Sequence, residues 1–169
     1  MPDNLLIPDQ ACVNKAIDFI SGFSSVVLGS VKSAKKAHTS YAPFITHGNN
    51  FYVYVSGLAE HSHTLQNGSA SLFFIEDEQQ AKTIFARTRL TIDCTVAIIE
   101  ATTSSESHLL DQFEQRHGAT VKLLRSLPDF ILFELKPLSA SFVTGFGAAY
   151  DVTPNLKTLT RSTRGACRI

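Results

Sequence analysis

The sequence predicts a mainly β protein, a small barrel of six or seven antiparallel strands with short peripheral helices. Apolar stretches of strand length recur between turn residues through most of the 169-residue chain. One of them, from residue 89 to residue 98, alternates apolar and polar residues, as a strand with one buried face does. A hydrophobic content of 44% allows one domain of this length to bury its own core.

The first half of the chain predicts a helix, a meander of three strands, a short helix and a fourth strand. In that order, these elements occupy residues 11–23, 25–31, 38–46, 50–56, 58–67 and 70–75. The first helix follows Pro8 and Asp9, which are typical of a helix start, and we expect it to end at Gly22. The short helix is expected to end at Asn67 and Gly68.

The second half predicts one long strand, one helix and two final strands. These elements occupy residues 85–100, 104–118, 130–135 and 139–152. Ser104 is expected to cap the helix, which ends near Gly118. Gly145 and Gly147 interrupt the last strand, and glycines inside a strand mark a bulge, a sharp bend, or a close approach by another backbone or a ligand.

Composition and charge exclude several classes of protein. Fifteen basic and fifteen acidic residues leave a formal charge of zero, so the protein lacks the positive field that attracts nucleic acid. Cys12, Cys94 and Cys167 lie far apart without zinc-site spacing, which indicates isolated thiols in a reducing compartment. The N-terminus lacks the basic residues of a signal peptide, and no apolar run approaches membrane-spanning length. We therefore expect a cytoplasmic protein without a membrane partner.

Two arginines indicate an anion-binding site. Arg87 and Arg89 are two residues apart in the predicted strand 85–100. Side chains at this spacing leave the same face of a strand, so both guanidiniums can offer N–H donors to a phosphate or to a pair of carboxylates. The alternative is that the two arginines pair with nearby acidic residues of the chain.

The last residues differ in chemistry from the rest of the chain. Four basic residues and no acidic residue follow Asp151, namely Lys157, Arg161, Arg164 and Arg168. We therefore divide the chain into a barrel domain, residues 1–152, and a basic C-terminal tail, residues 153–169. The tail is either a frayed, solvated terminus or a segment that folds over an anionic ligand or across a subunit boundary.

Five segments carry a resemblance to a known family: SYAPF at 40–44, YVSGLAEH at 54–61, FARTRLTID at 85–93, DFILFEL at 129–135 and FVTGFGAAYDV at 142–152. In this order they resemble the haem-utilisation proteins of the HutZ type, within the pyridoxamine-phosphate-oxidase-like, FMN-binding split-barrel superfamily. The resemblance implies a split β-barrel that works as a homodimer. It also implies ligand clefts between the two subunits.

The resemblance further implies which residues bind the cofactor. In flavin-binding members of the superfamily, strand arginines and the segment before a short helix hold the FMN phosphate, where free N–H groups and the helix dipole favour an anion. The corresponding cofactor-binding residues of this chain are Arg87, Arg89, Ser56, His61 and Ser40. Thr64 replaces a common asparagine of the family, and a hydroxyl offers fewer hydrogen bonds than an amide.

For the haem-handling branch, the resemblance implies haem bound across the dimer interface and opened oxidatively in some members. A histidine of the tail there ligates the iron, and an acidic residue of the other subunit hydrogen-bonds that histidine. Asp129 matches the acidic residue and is the implied catalytic residue, but Ala166 stands where the histidine is expected, and no histidine follows His117. Cys167 is then either an iron-binding thiolate or a thiol without a role.

Three functions remain open from the sequence. The first is haem binding at the homodimer interface, with oxidative haem degradation for iron release as its extension. The second is an FMN-binding oxidoreductase of the pyridoxamine-phosphate-oxidase-like class, and the third is a non-enzymatic haem carrier or sensor. The predicted cofactor is therefore haem or FMN. We predict no separate metal ion at His61 and His63, because residues two apart on a helix point to different faces.

Overall fold

The structure, a computed structural model, describes residues 10–153 and 159–161. Its helices are α1 (Gln10–Ser21), α2 (Glu60–Leu65), α3 (Ser104–His117) and α4 (Ala119–Leu124). Its strands are β1 (Ser25–Val31), β2 (Ala37–His47), β3 (Asn50–Ser56), β4 (Ser69–Ile75), β5 (Arg89–Ile98), β6 (Phe130–Gly145), β7 (Ala148–Val152) and β8 (Leu159–Arg161). The bounds of β1 and β3 agree with the predicted ranges.

The strands form one antiparallel sheet that closes into a barrel. The order is β3-β2-β1-β4-β5-β6, and a further pairing of β3 with β6 closes the ring of six strands. The strand β7 pairs with β6 beyond the ring, and β8 pairs with β7. The predicted fold class, a split β-barrel with short helices, is confirmed. The short strand β8 was not predicted.

The strand β6 corrects one prediction, because it runs unbroken through two ranges that the sequence predicted as separate strands. Pro137 lies between those two ranges, and proline cannot donate a ladder hydrogen bond. In the structure Pro137 pairs with Cys94 at a register shift, and the neighbouring pair is Asp93 with Ser139. The extra residue, Leu138, forms a β-bulge, and a bulge tolerates proline within a long, bent strand.

The two glycines of the last predicted strand lie at a hairpin turn, Gly145 as the last residue of β6 and Gly147 within the turn. Gly147 has a φ of 66°, a left-handed conformation that favours glycine, and the turn joins β6 to β7. The register also shifts between Val143 and Gly145. The predicted strand 139–152 is therefore the end of β6, a tight turn, and β7.

The predicted strand 85–100 is shorter in the structure and begins at Arg89. Residues 84–86 form a 3-10 turn, in which the Thr83 hydroxyl accepts a hydrogen bond from the backbone N–H of Phe85 at 3.4 Å. Arg87 therefore precedes the strand instead of lying on it. The turn capped by Thr83 delays the start of the strand, and the apolar alternation of the strand begins at Leu90.

Two apolar clusters stabilise the fold. The larger fills the barrel and includes one face of α1; its largest fully buried side chains include Phe44, Phe51, Phe74, Phe133 and Phe142. The smaller lies between the outer surface of the barrel and helices α3 and α4, and it contains Ile45, Tyr52, Tyr54, Leu109, Leu110, Phe113, Val121 and Leu132. The helix α4 was not predicted. Among the described residues, no helix has the length and apolar content to cross a membrane.

Most of the predicted basic tail lies outside the described residues. This includes Ala166 and Cys167, the position of the expected histidine and the alternative thiolate ligand. The backbone of Arg161 lies on β8 and pairs with Tyr150 of β7. The division at residue 152 stays a prediction.

Candidate functional site

Ser56 and Asp129 form the most specific polar contact of the predicted site. Ser56 is the last residue of β3, and Asp129 immediately precedes β6, which pairs with β3. The Ser56 hydroxyl donates a hydrogen bond to Oδ2 of Asp129 at 2.5 Å. The same hydroxyl oxygen accepts a bond from the backbone N–H of Leu58 at 3.2 Å. Hydrogen bonds to an ionised carboxylate are the stronger kind, so Ser56 fixes the orientation of Asp129.

Gly57 holds the backbone of this contact and was missed in the sequence analysis. Its N–H donates to the backbone oxygen of Asp129 at 2.5 Å. A Cβ at position 57 would lie 2.8 Å from that oxygen, closer than Cβ atoms approach other atoms, and 3.1 Å from Cδ1 of Ile131. The signal that could have found it is a glycine directly between a strand-ending serine and a helix, where close backbone approach is common.

The helix α2 packs against β1 and β2 and is tied to the barrel by buried hydroxyls. Ser62 donates to the backbone oxygen of Ser56 at 2.5 Å. Ser30 of β1 donates to the hydroxyl of Thr64 at 2.7 Å, and that hydroxyl donates to the backbone oxygen of His61 at 3.0 Å. Thr64 therefore has both a donor and an acceptor partner here.

His61 and Ser40, two predicted cofactor-binding residues, carry shielded polar atoms, as does the neighbouring His38. These atoms are Nε2 of His61, Nε2 of His38 and Oγ of Ser40, and none has a hydrogen-bond partner within the described residues. Burial, and secondly the charge of His38, lower the pKa of His61. His61 is therefore a neutral imidazole near neutral pH and offers a cofactor a hydrogen bond instead of a positive charge.

The lowered pKa of His61 predicts a pH-dependent stability. Folding disfavours the protonated ring, so the contribution of His61 is complete above the ordinary pKa of 6.5 and is lost as the pH falls through the lower folded-state value. We expect the free energy of unfolding in urea to decrease in this acidic window. His61→Gln should flatten the decrease, whereas His63→Gln, which changes an exposed histidine of the same helix, should leave it unchanged. Equal curves for the wild type and His61→Gln would contradict the prediction.

Arg87 is engaged by the chain's own acidic segment. Its Nε donates to the backbone oxygen of Glu76 at 2.8 Å, and its Nη2 donates to the same oxygen. Its Nη1 pairs with the carboxylate of Glu78 at 3.0 Å. The Arg87 side chain is 17% exposed, whereas that of Glu78 is 68% exposed. For Arg87, the structure favours the alternative in which the arginine pairs with nearby acidic residues.

Arg89 is the freer of the two arginines. It pairs across the sheet with Ile75 and Val143, and its Nη1 donates to the backbone oxygen of Arg87 at 3.3 Å. In the part of the chain that the structure describes, Arg89 has no carboxylate partner. Phe85 and Phe146 are 82% and 77% exposed, and they lie in the turns next to β5 and the end of β6. Arg89 thus combines an available charge with uncovered aromatic rings nearby.

Apart from Ser40, which lies within β2, the predicted site residues fall into two groups that one chain does not bring together. Ser56 pairs with Phe130 at the beginning of β6, whereas Arg89 pairs with Val143 near the end of this 16-residue strand. Because a strand rises by about 3.3 Å per residue, the two groups lie far apart along β6. Ser56, Asp129 and the helix of His61 belong to one group, and Arg87 and Arg89 belong to the other.

The thiol of Cys94 has no part in either group. It is free and buried on β5, and burial, with a smaller effect of Asp93, raises its pKa to about 12. Burial therefore keeps this thiol protonated near neutral pH, which makes it a poor nucleophile. For this cysteine the prediction of an isolated thiol is confirmed.

Comparisons with known proteins agree with the fold. The sequence profile described as Pyridoxamine 5'-phosphate oxidase matches residues 14–144. The protein named Heme oxygenase HutZ, from Vibrio cholerae, is 37% identical over 127 residues, which are 75% of this chain and 72% of that protein. The crystal structure titled HutZ, the heme storage protein from Vibrio cholerae, has a TM-score of 0.74 and 30% identity, over 78% of this chain and 94% of that one.

A second solved structure is similar over a larger share of this chain. ChuZ from Campylobacter jejuni has a TM-score of 0.81 and 27% identity, over 94% of this chain and 66% of that one. Its similarity and that of HutZ place the molecule in one class, the split barrels of pyridoxamine-phosphate-oxidase type. The chain belongs to the pyridoxamine 5'-phosphate oxidase family, as a HutZ-type protein within it. The predicted resemblance is confirmed.

Proposed function

We propose that this protein binds haem at the interface between two copies of the chain and acts in haem utilisation. The relative with 37% identity is named a heme oxygenase, and the similar crystal structure is titled a heme storage protein. Both names concern haem. The proposal carries that ligand over to this chain, whose sequence aligns with most of the length of both relatives.

The observation that carries the proposal is the separation of the two groups along β6. Arg89 and Asp129 cannot contact one ligand within a single chain, because they lie near opposite ends of a long strand. In a two-fold dimer, each residue contact occurs twice, so Arg89 of one copy can face Asp129 of the other. The same arrangement would create two equivalent clefts, each with an arginine from one protomer and a carboxylate from its partner.

The residues present fit haem in chemistry. Haem needs cations for its propionates and apolar surface for its ring, and Arg89 and the exposed Phe85 and Phe146 supply these. Asp129 is held by Ser56 and can accept a hydrogen bond from a donor group beside the iron. When bound, haem supplies the redox-active iron for oxygen chemistry. We extend the proposal to oxidative haem degradation, as the name of the heme oxygenase relative suggests.

FMN is the second candidate ligand. The family described as Pyridoxamine 5'-phosphate oxidase matches most of the chain, and Arg89 would hold a phosphate as readily as a propionate. A haem carrier without catalysis is the third candidate, because one relative is titled a storage protein. Absorption spectra of the protein titrated with haem and, separately, with FMN distinguish the first two. When a reductant is added to the haem complex, a bilin-type product indicates haem degradation, and the absence of that product indicates a haem carrier.

The test of the proposal is Arg89→Ala titrated with haem and followed by absorption. Each charge-assisted hydrogen bond contributes about 1.5–3 kcal/mol, so we expect haem affinity to fall by roughly tenfold to a hundredfold. The matched control is Arg125→Ala, because Arg125 is paired with Asp111 at 2.7 Å and with Glu114 at 3.3 Å on α3. Unchanged haem affinity in Arg89→Ala, or a monomer in sedimentation of the haem complex, would contradict the proposal.

A further inference from the structure

Two histidines outside the proposed haem site converge on one point of the surface. His47 is the last residue of β2, and His108 lies on α3, which packs against β2. Their rings are in edge-to-face contact, with centroids 5.5 Å apart and planes at 82°. The amide nitrogen of Gln112 lies 3.1 Å from Nδ1 of His47 and 2.8 Å from Nε2 of His108.

This arrangement directs two imidazole nitrogens at the same position. An amide NH2 group is only a donor, so with Gln112 in this orientation it can donate to each of the two ring nitrogens that it contacts. A neutral imidazole nitrogen with a free lone pair is the ligand atom that zinc, copper and nickel ions prefer. The amide nitrogen of Gln112 occupies the position that such an ion would take.

The backbone makes this convergence a property of the fold. His108 and Gln112 are four residues apart on α3 and therefore share one face of the helix. Phe113, on the buried side of α3, packs with Ile45 of β2 in the smaller apolar cluster, which fixes the helix beside the end of β2. His47 is two residues beyond Ile45 and leaves the strand where it meets that helix face.

The surroundings admit a hydrated cation. A groove of about 440 Å³ adjoins the pair and is lined by Ile45, Thr46, His108, Gln112, Gln115 and Arg116. Arg116 is the charged residue of this lining, and its guanidinium is directed elsewhere. It donates to the backbone oxygen of Phe23 at 2.7 Å and lies over the Phe44 ring at 5.4 Å. The lining otherwise consists of neutral groups, and both histidines are exposed.

We propose that His47 and His108 bind a divalent transition-metal ion, with zinc, copper and nickel as the class of ligand. Imidazole nitrogens coordinate zinc at about 2.0–2.1 Å, so the two exposed rings need to move only about an ångström toward the ion. Gln112 either rotates so that its amide oxygen faces the ion, or moves away so that a water molecule occupies its position. Within the described residues, no three histidine, cysteine, aspartate or glutamate side chains form a metal-binding group. The site is therefore open, with coordination positions left for water or an exogenous ligand.

The experiment is calorimetric titration of the untagged, full-length protein with Zn²⁺ and with Cu²⁺, after alkylation of its accessible thiols. We expect one ion per chain, and about a tenfold or greater loss of affinity in His47→Gln and in His108→Gln. His63→Gln, which changes an exposed histidine of α2, is the matched control and should bind as the wild type does. Gln112→Ala removes the competing donor and should retain the ion.

Two results would overturn this proposal. One is that the wild type, shown to be folded by circular dichroism, binds neither Zn²⁺ nor Cu²⁺. The other is binding that neither His47→Gln nor His108→Gln weakens. The proposal does not depend on haem, so its failure and that of the haem proposal are separable: Arg89→Ala should change haem affinity without changing metal affinity.

Discussion

Phe133→Ala should lower the free energy of unfolding by about 3–5 kcal/mol, the cost typical of removing a buried phenylalanine ring. Phe133 is 0% exposed within the barrel. It pairs with Val53 of β3 on one side of β6 and with Ile98 of β5 on the other. The cavity would therefore form where β6 closes the ring of strands. Urea unfolding followed by circular dichroism measures the loss.

A surface phenylalanine provides the matched control for this substitution. Phe85 is 82% exposed, so Phe85→Ala removes the same atoms without leaving a cavity. We expect the free energy of unfolding to change by less than about 0.5 kcal/mol. A loss of stability in Phe133→Ala no larger than that in Phe85→Ala would show that β6 does not close the barrel in solution.

Gly57→Ala should disrupt the contact between Ser56 and Asp129. The added Cβ would lie 2.8 Å from the backbone oxygen of Asp129, so the two segments must separate. Steric strain of this kind costs about 1–3 kcal/mol, and the separation also lengthens the bond from the Gly57 N–H to that oxygen. We expect a lower free energy of unfolding in urea. Haem titration of the same variant should show a weaker affinity, because Asp129 loses its orientation.

The control for Gly57→Ala is Gly29→Ala on β1. A Cβ at position 29 would meet Cβ of Ser71 at 3.6 Å, an ordinary van der Waals distance. Alanine there reduces the freedom of the unfolded chain, and we expect no loss of stability or a gain of up to about 1 kcal/mol. Equal destabilisation by both substitutions would mean that glycine at position 57 is needed for reasons other than the close approach of Asp129.

The strands were predictable because their signal is local. Of the five apolar residues that alternate in β5, Leu90, Ile92 and Cys94 are buried, Val96 is half-buried and Ile98 is 49% exposed. The interior and exterior faces of a strand repeat every two residues, so a short window of sequence contains the whole pattern. The strand predictions were wrong where a local irregularity interrupts this pattern. Residues 130–135 and 139–145 were predicted to lie in separate strands, but a bulge at Leu138 keeps them in one continuous strand.

The candidate site was predictable as a set of residues but not as an arrangement. The resemblance to the family identified Ser56, Asp129 and Arg89 as site residues, because each lies in one of the segments that carry the resemblance. It did not show that Ser56 and Asp129, which are 73 residues apart, share a hydrogen bond. It also did not show that Arg87 is engaged by Glu76 and Glu78 while Arg89 is not. These facts depend on which strands pair and where a turn begins.

The sequence by itself determined the strand pattern, the barrel class and the residue types available to a ligand, since periodicity, turn residues and motifs are properties of short segments. The tertiary structure alone decided the pairing of β3 with β6, the orientation of Asp129 and the meeting of His47 with His108. The physical reason is that a hydrogen bond or a packed contact acts over a few ångströms in space. Only the closed barrel brings residues so distant in the chain within that range.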